Sequence, residues 1–366
     1  MPLARAFADD GHAVAFATSA SFAGRVDAAG FGLLPAGISR DELEARVAPH
    51  RALLRTLPIP DRRVAAFAGR FGVIEAPAKL DALVRVLADW LPDLVVHDSA
   101  DLAAPIAAAA AGVPSAHHAF GRSIPVACLA AAAAETASLW AGVGLEPEPL
   151  CGLYRGTYVD LCPPSFQGDG VPAGTPVEPI RPLFPPARDE TPPAWLQTLP
   201  DRPLVYVTLG TVFNEPSRFA TLLESLRDVE CTAILTVGRD NDPADLGPLP
   251  ANVLVEPYVA QWFVLPHSSL VVAHGGSGSI LATLAAGLPT LLVPQGADQF
   301  ENADRCVELG AGLRLLPDEV TAASVLSAVR TLLREASFRA SARDVAAEIE
   351  AMPHPREVAR RLAASR

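Results

Sequence analysis

Short β-branched or apolar runs alternate with longer alanine-rich stretches, and this pattern, which is broken off once and then begun again, limits the fold more than any other feature of the chain. HAVAFAT (12–18) and DLVVHD (93–98) lead into ADLAAPIAAAAAG (100–112). After a long interval, LVYVTLG (204–210), TAILTVG (232–238), VLVEPYV (253–259), LVVAH (270–274) and TLLVP (290–294) repeat the pattern, with a helix expected from about Ser217 to Arg227. Strands separated by helix-length segments pair in parallel through crossovers, because antiparallel neighbours need only tight turns. The spacing predicts an α/β protein with two doubly wound domains. Ten prolines fall between Pro172 and Pro203, a composition suited to a connector. The expected division is an N-terminal domain over 1–185, a linker over 186–200, a C-terminal domain over 201–350 and a terminal helix over 351–366. At 366 residues the chain is long enough for each domain to bury its own core.

The opening, MPLARAFADDGHAVAFAT, reads as a helix capped at Gly11 with a strand behind it. The central strand that should precede the first helix of a doubly wound sheet is absent from this pattern, so the start reads as truncated.

Several classes of function are excluded by composition. A formal charge of −12 is the wrong sign for a surface that neutralises nucleic-acid phosphates. The apolar runs 102–114 and 128–134 are too short or too interrupted to span a bilayer, and no basic, leucine-rich leader opens the chain. The expected location is the cytoplasm. Cys128, Cys151, Cys162, Cys231 and Cys306 are scattered without CxxC spacing, which suits reduced thiols rather than disulfides or a metal cluster.

The chemistry concentrates in VVAHGGSGSILATLAAGLPTLLVPQGADQFENA (271–303). Here an apolar run ends at His274, Gly275 to Ser279 form a turn, and a helix is expected from about Ile280. Glycines allow a ligand to approach the backbone, and a helix N-terminus offers unpaired N–H groups and a positive dipole end. The result is an anion site, best suited to phosphate. Ser277 and Ser279 add hydroxyls and His274 a ring N–H. The turn is neither GxGxxG nor GxxxxGK[ST], so dinucleotide and Walker-type readings lose ground. Asp298 and Gln299 follow the next strand and return to the same sheet end, where a carboxylate beside an amide suits vicinal hydroxyls.

Together, His274-Gly275-Gly276-x-Gly278-Ser279, Gly287-x-Pro289, Pro294, Asp298-Gln299 and Asn302-Ala303 resemble the donor signature of the GT-B nucleotide-sugar glycosyltransferases of the UDP-glycosyltransferase type. The actinobacterial natural-product branch, with the macrolide glycosyltransferases, is most similar. YVTLGTVFN (206–214) and VAQWFVLPHSSLVVAH (259–274) extend the likeness, which covers nearly the whole chain. The resemblance implies two Rossmann-like domains facing across a cleft. It implies that His274, Gly276, Gly278 and Ser279 hold a diphosphate, with Gly275 and Ser277 in the same donor-binding turn, Gly210 and Thr211 on the opposite loop, Gln261 at the base, and Asp298 and Gln299 at the sugar hydroxyls. Plant relatives carry a ribose-binding glutamate where this chain has Ala282, which leaves both UDP and dTDP open. The implied reaction is inverting transfer of a hexose or deoxyhexose from a UDP- or dTDP-sugar to a hydroxyl of a lipophilic small molecule, with no metal and no other cofactor. Asp98 matches the family's orienting acid, whereas the base histidine belongs upstream of Met1, since His12 lies in the turn into a later strand.

Each of these residues also has a plainer reading. His274 suits a helix cap or core position, Asp298 and Gln299 a helix N-cap, and Asp98 a cap for a helix near Asp101. His97, His117 and His118 reach the same sheet edge as Asp98, where such residues are more often structural than part of an acceptor pocket. Asp240-Asn241-Asp242 imitates a DxD metal motif but reads as a solvated turn. The tail 355–366 is an amphipathic helix expected to pack back onto the N-terminal domain. Acceptor contacts are expected from 40–80 and 117–160. Two rival functions are a nucleotide-sugar-binding protein without catalysis and a GT-B sugar-nucleotide epimerase.

Overall fold

The computed structural model describes residues 1–54, 56–168, 170–186, 190–210, 217–239 and 241–365. The chain divides into two compact units, Met1–Leu161 with Gln167–Ile180 and Pro353–Arg366, and Cys162–Phe166 with Arg181–Met352.

In the first unit, β1 (Ala15–Thr18) and β2 (Gly32–Pro35) pair in parallel. A separate parallel sheet joins β3 (Val95–Asp98), β4 (Ser115–His118), β5 (Thr157–Asp160) and β6 (Val177–Pro179) in that order. Ala17 of β1 and Val95 of β3 rest on one helical core that includes Leu80, Leu83, Leu87 and Ile106. Val14 and Leu94, just ahead of the same two strands, pack against a second cluster built on Leu3 and Phe7. The two sheets therefore share both covering layers, yet no ladder joins them among the described residues. Val96 is 41% exposed at a position where a helix-covered parallel strand is ordinarily buried.

The helix Pro2–Asp9 ends at Gly11, whose φ of +90° lets the Gly11 and His12 N–H groups turn back to the Ala8 and Phe7 carbonyls. The terminal helix Pro355–Ala364 packs on it through Val358, Ala359 and Leu362, and exposed ion pairs Arg356–Asp9 (2.9 Å) and Arg360–Asp10 (2.8 Å) flank the contact. Burial rather than charge should hold this pair together. Leu362→Ala is expected to lower the unfolding free energy of this unit by about 2–4 kcal/mol in urea titrations, while Arg360→Ala leaves the midpoint nearly unchanged.

The second unit contains β7 (Leu204–Thr208), β8 (Thr232–Thr236), β9 (Val253–Glu256), β10 (Leu270–Ala273), β11 (Thr290–Leu292) and β12 (Gly312–Arg314). They form one parallel sheet in the order β12-β11-β10-β7-β8-β9. Every residue of β7, β8 and β10 is buried, which explains why these strands read as continuous runs rather than alternating ones. The chain grows outward from β7 to β9, then returns across β7 to β10. That reversal sets the topological switch point between β7 and β10, where the loops after the two strands part and ligands of such sheets bind.

The proline-rich interval 186–200, expected as a linker, groups with this second unit. Trp195 donates its ring N–H to Glu256 at the end of β9 (2.7 Å), and Arg181 bonds the Met352 carbonyl (3.2 Å). The segment Cys162–Phe166 also joins this unit, because Ser165 accepts from Arg305 (2.7 Å) and donates its N–H to Glu348 (2.9 Å). No helix among the described residues is long and apolar enough to cross a membrane. All five cysteines are buried free thiols, and burial raises Cys306 to about 12.

Candidate active site

The glycine turn sits at the switch point. Gly275, at φ +88°, carries the chain out of β10, and Gly276 is the N-cap of the helix Ser277–Ala285. The helix thus begins three residues before the expected Ile280, because the Gly276 carbonyl already accepts the Ile280 N–H at 3.0 Å. Consequently the backbone N–H groups of Gly276 to Ser279 are the unpaired donors of the first turn, and the dipole end falls on the glycines themselves.

His274 is held edge-on between two glycines. A Cβ at Gly210, which has φ +77°, would lie 2.6 Å from His274 Cε1, and one at Gly276 would lie 2.5 Å from Nε2. By contrast, a Cβ at Gly278 would meet nothing within 4 Å, so open space lies beside the helix N-terminus. Burial lowers the His274 pKa, opposed by the Asp298 carboxylate and the Thr208 backbone. The ring is therefore neutral at pH 7, and a nearby anion would draw a proton to it. Thr211 lies outside the described residues.

Around this turn the polar side chains are committed to one another. The Ser277 hydroxyl donates to Asp298, so it is not a free donor to a ligand. Gln261 donates to the Ser279 hydroxyl (3.2 Å). Asp298 stands at the N-cap of the helix Gln299–Glu308 without making a side-chain cap bond. It is Gln299, 3% exposed, whose amide oxygen takes the Gln295 (2.7 Å) and Gly296 (3.2 Å) N–H groups. Ala282 is buried within its helix.

In the first unit, Asp98 lies exposed at the carboxyl end of β3. One carboxylate oxygen accepts the Ala100 (2.6 Å) and Asp101 (3.0 Å) N–H groups, which closes the turn, while Asp101 itself bonds the Ala104 N–H (3.2 Å) near the start of the helix Ala103–Ala111. His97 and His117 are buried and stacked at 5.5 Å, and His117 Nε2 lies 2.8 Å from the Ser99 hydroxyl. Burial lowers His117 to about 2 and His118 to about 4. The His97 and His117 rings are thus both buried, and burial disfavours their charged forms. His12 sits in the turn beyond the first helix, edge-on to Phe7 at 5.5 Å.

In the DxD-like segment, Asp240 is outside the described residues, Asn241 bonds the Val237 carbonyl (2.8 Å) and Asp242 caps Ala244 (2.9 Å). No group of three or more potential metal ligands occurs among the described residues.

Sequence reasoning passed over two residues. Tyr258 is 40% exposed three residues before Gln261, with the Arg239 guanidinium 3.6 Å over its ring. Asn302 belongs to the signature, yet the pattern assigns it no role; it is 1% exposed and reaches both Gly275 and Asp298. The first unit also holds a cavity of about 480 Å³, lined by Leu57, Val64, Ala68 and Ala131 with His50 and Asp61, beside the π-helical stretch Ala68–Glu75. Its lining comes from the two segments expected to meet an acceptor.

Residues 5–210 and 220–365 match, respectively, the N-terminal and C-terminal domains of the family described as erythromycin biosynthesis protein CIII-like. The chain is 34% identical to the L-demethylnoviosyl transferase of Streptomyces niveus, across 100% of this chain and 93% of that protein. It is 33% identical to the elloramycin glycosyltransferase ElmGT of Streptomyces olivaceus, across 77% of this chain and 71% of that one. Among solved structures, the glycosyltransferase SnogD from Streptomyces nogalater is similar at TM-score 0.80 and 28% identity, covering 100% of this chain and 95% of that one. The calicheamicin glycosyltransferase CalG4 is similar at TM-score 0.80 and 26% identity, covering 99% and 93%. Both halves are matched and the glycine turn stands at the sheet's switch point, so the chain belongs to the erythromycin biosynthesis protein CIII-like family of GT-B glycosyltransferases.

Proposed function

We propose that this glycosyltransferase moves a hexose or deoxyhexose from a UDP- or dTDP-sugar to a hydroxyl of a lipophilic small molecule, with inversion and without a metal ion. The reading rests chiefly on the helix N-terminus at Gly276–Ser279, which opens onto unfilled space beside Gly278. In the reaction the acceptor hydroxyl loses its proton to a base and its oxygen attacks the anomeric carbon. The bond from that carbon to the diphosphate breaks on the opposite face. The negative charge that develops on the leaving diphosphate meets the N–H groups of Gly276, Ser277, Gly278 and Ser279 and the helix dipole, with His274 beside them. Gly210 lines the diphosphate from the loop after β7, and Gln261 holds Ser279 in place.

Of the pair Asp298 and Gln299, the carboxylate meets the sugar hydroxyls, while the Gln299 amide shapes the loop that presents it. Asp98 offers its second carboxylate oxygen to orient an imidazole base, which is not among the groups its carboxylate touches among the described residues. The names of the relatives, a demethylnoviosyl transferase and an elloramycin glycosyltransferase, together with the apolar cavity at Leu57–Ala131, support a secondary-metabolite acceptor. Five reduced thiols support a cytoplasmic setting.

The test is to incubate the purified chain with UDP- and dTDP-sugars and lipophilic polyols, measuring released nucleoside diphosphate and the anomeric configuration of the product by NMR. Inverted glycoside is expected, at a rate unchanged by EDTA. Failure to bind either class of nucleotide sugar would overturn the reading, and binding without turnover would point to an accessory protein.

A further inference from the structure

Asn302 lies one turn into the helix Gln299–Glu308 and is buried. Its amide nitrogen is 2.9 Å from the Gly275 carbonyl, 3.2 Å from the Ser277 hydroxyl and 2.9 Å from Asp298 Oδ2. Ser277 in turn donates its own hydroxyl to the same carboxylate oxygen. One side chain therefore joins the turn out of β10, the first residue of the anion-binding helix and the carboxylate at the end of the next loop. That loop is not at ease by itself, because Ala297, immediately before Asp298, has φ +53°. For a residue with a Cβ such a conformation persists only when its surroundings hold it. Asp298 thus has one oxygen fixed by two donors, and its other oxygen makes no hydrogen bond among the described residues.

We propose that Asn302 is the positioning residue of the donor site: it locks the Asp298 carboxylate to the Gly275–Ser277 turn, so that the sugar is read in register with the diphosphate. The inference rests on Asp298 being the sugar-facing group. Asn302 does not touch the donor. It fixes the distance between the group that meets the phosphates and the group that meets the sugar, which rotation about the Asp298 side-chain bonds would otherwise blur. Removing it should therefore weaken recognition of the sugar and spare recognition of the nucleoside diphosphate.

Calorimetry with dTDP, UDP, dTDP-glucose and UDP-glucose tests this on the full chain and on Asp298→Ala, Asn302→Ala, the double variant and Ser277→Ala. Asn302→Ala is expected to weaken the better nucleotide sugar about tenfold while the matching diphosphate changes less than about twofold, and the double variant should be no worse than Asp298→Ala. Ser277→Ala removes only a hydroxyl and should shift the same ratio in the same direction by about threefold, which keeps the test alive if Asn302→Ala does not fold. Equal weakening of sugar and diphosphate, no change in either, or additive losses in the double variant would overturn the role of Asn302 while Asp298→Ala still discriminates. If Asp298→Ala itself weakens both ligands equally, or the unaltered chain binds none of the four, the reading of Asp298 falls and the inference with it.

Discussion

Gly276→Ala is expected to reduce kcat/KM at least about a hundredfold, roughly 2.7 kcal/mol of transition-state stabilisation, whereas Gly278→Ala, two residues on, should make the protein more stable. The contrast follows from what each methyl group would meet. At Gly276 the new carbon would sit 2.5 Å from His274 Nε2, well inside contact distance, so the imidazole must leave its slot beside Gly210. On the proposed reading the ring stands beside the N–H groups that face the leaving diphosphate, and the residue that displaces it is also the helix N-cap. At Gly278 the methyl group enters open space within a helical turn. Replacing glycine by alanine in a helix gains about 0.5–1 kcal/mol, which raises Tm by about 2–3 °C in a unit of this size. The same methyl group would occupy the space through which the phosphates are proposed to approach, so the donor KM should rise about tenfold. Thermal melts and donor kinetics on the two variants check the pair: Tm and KM must rise together for Gly278→Ala. An unchanged KM there would remove the phosphates from that face of the helix.

Acid should unfold the first unit before the second. His117 and His118 are held near 2 and 4 by burial, against an ordinary value of 6.5, with His97 adding a further downward pull on His117. Because the folded values lie below the unfolded one, the unfolded chain binds more protons. Stability is intact above pH 6.5 and is lost as pH falls through that value. Each such histidine costs about 1.4 kcal/mol per pH unit, so between pH 6.5 and 4.5 the two together cost on the order of 5 kcal/mol. In the second unit, His274 is the histidine with a lowered value, and Asp298 opposes the effect. Hydrogen exchange at pH 4.5 should show amides of β3 to β5 opening while those of β7 and β8 stay protected, and His117→Gln should shift the acid midpoint of the first unit downward. Simultaneous opening of both units would contradict this account.

How far the site was legible in the sequence depends on how local each signal is. Strands β7 to β11 and the turn after His274 are set by residues within a few positions of one another, and they appear where the pattern places them, whereas the three-residue β12 has too short a run to stand out. The helix starts at Ser277 and not near Ile280: Ser277, Gly278 and Ser279 are weak helix formers, and it is the Gly276 carbonyl, closing on Ile280, that makes them helical. Prolines over 186–200 suit a connector but do not say which unit holds it, and the bond from Trp195 to Glu256, 61 positions away, ties it to the second. Asp298-Gln299 reads as two equal ligands, yet the Gln299 oxygen belongs to the backbone of its own loop. Asn302 is four residues from Asp298, which places both on one side of a helix, but its bond to Gly275 spans 27 positions and has no sequence signature.

The unjoined sheets of the first unit bear on how the protein behaves among its own copies. Among the described residues, β1 and β3 each present an edge without a strand neighbour, and neither AFAT nor VVHD carries a lysine or proline that would discourage pairing. A row of unanswered N–H and C=O groups next to an exposed Val96 is a template for another extended chain. These two short stretches of backbone, far from the donor turn in sequence, are where an added strand would pair.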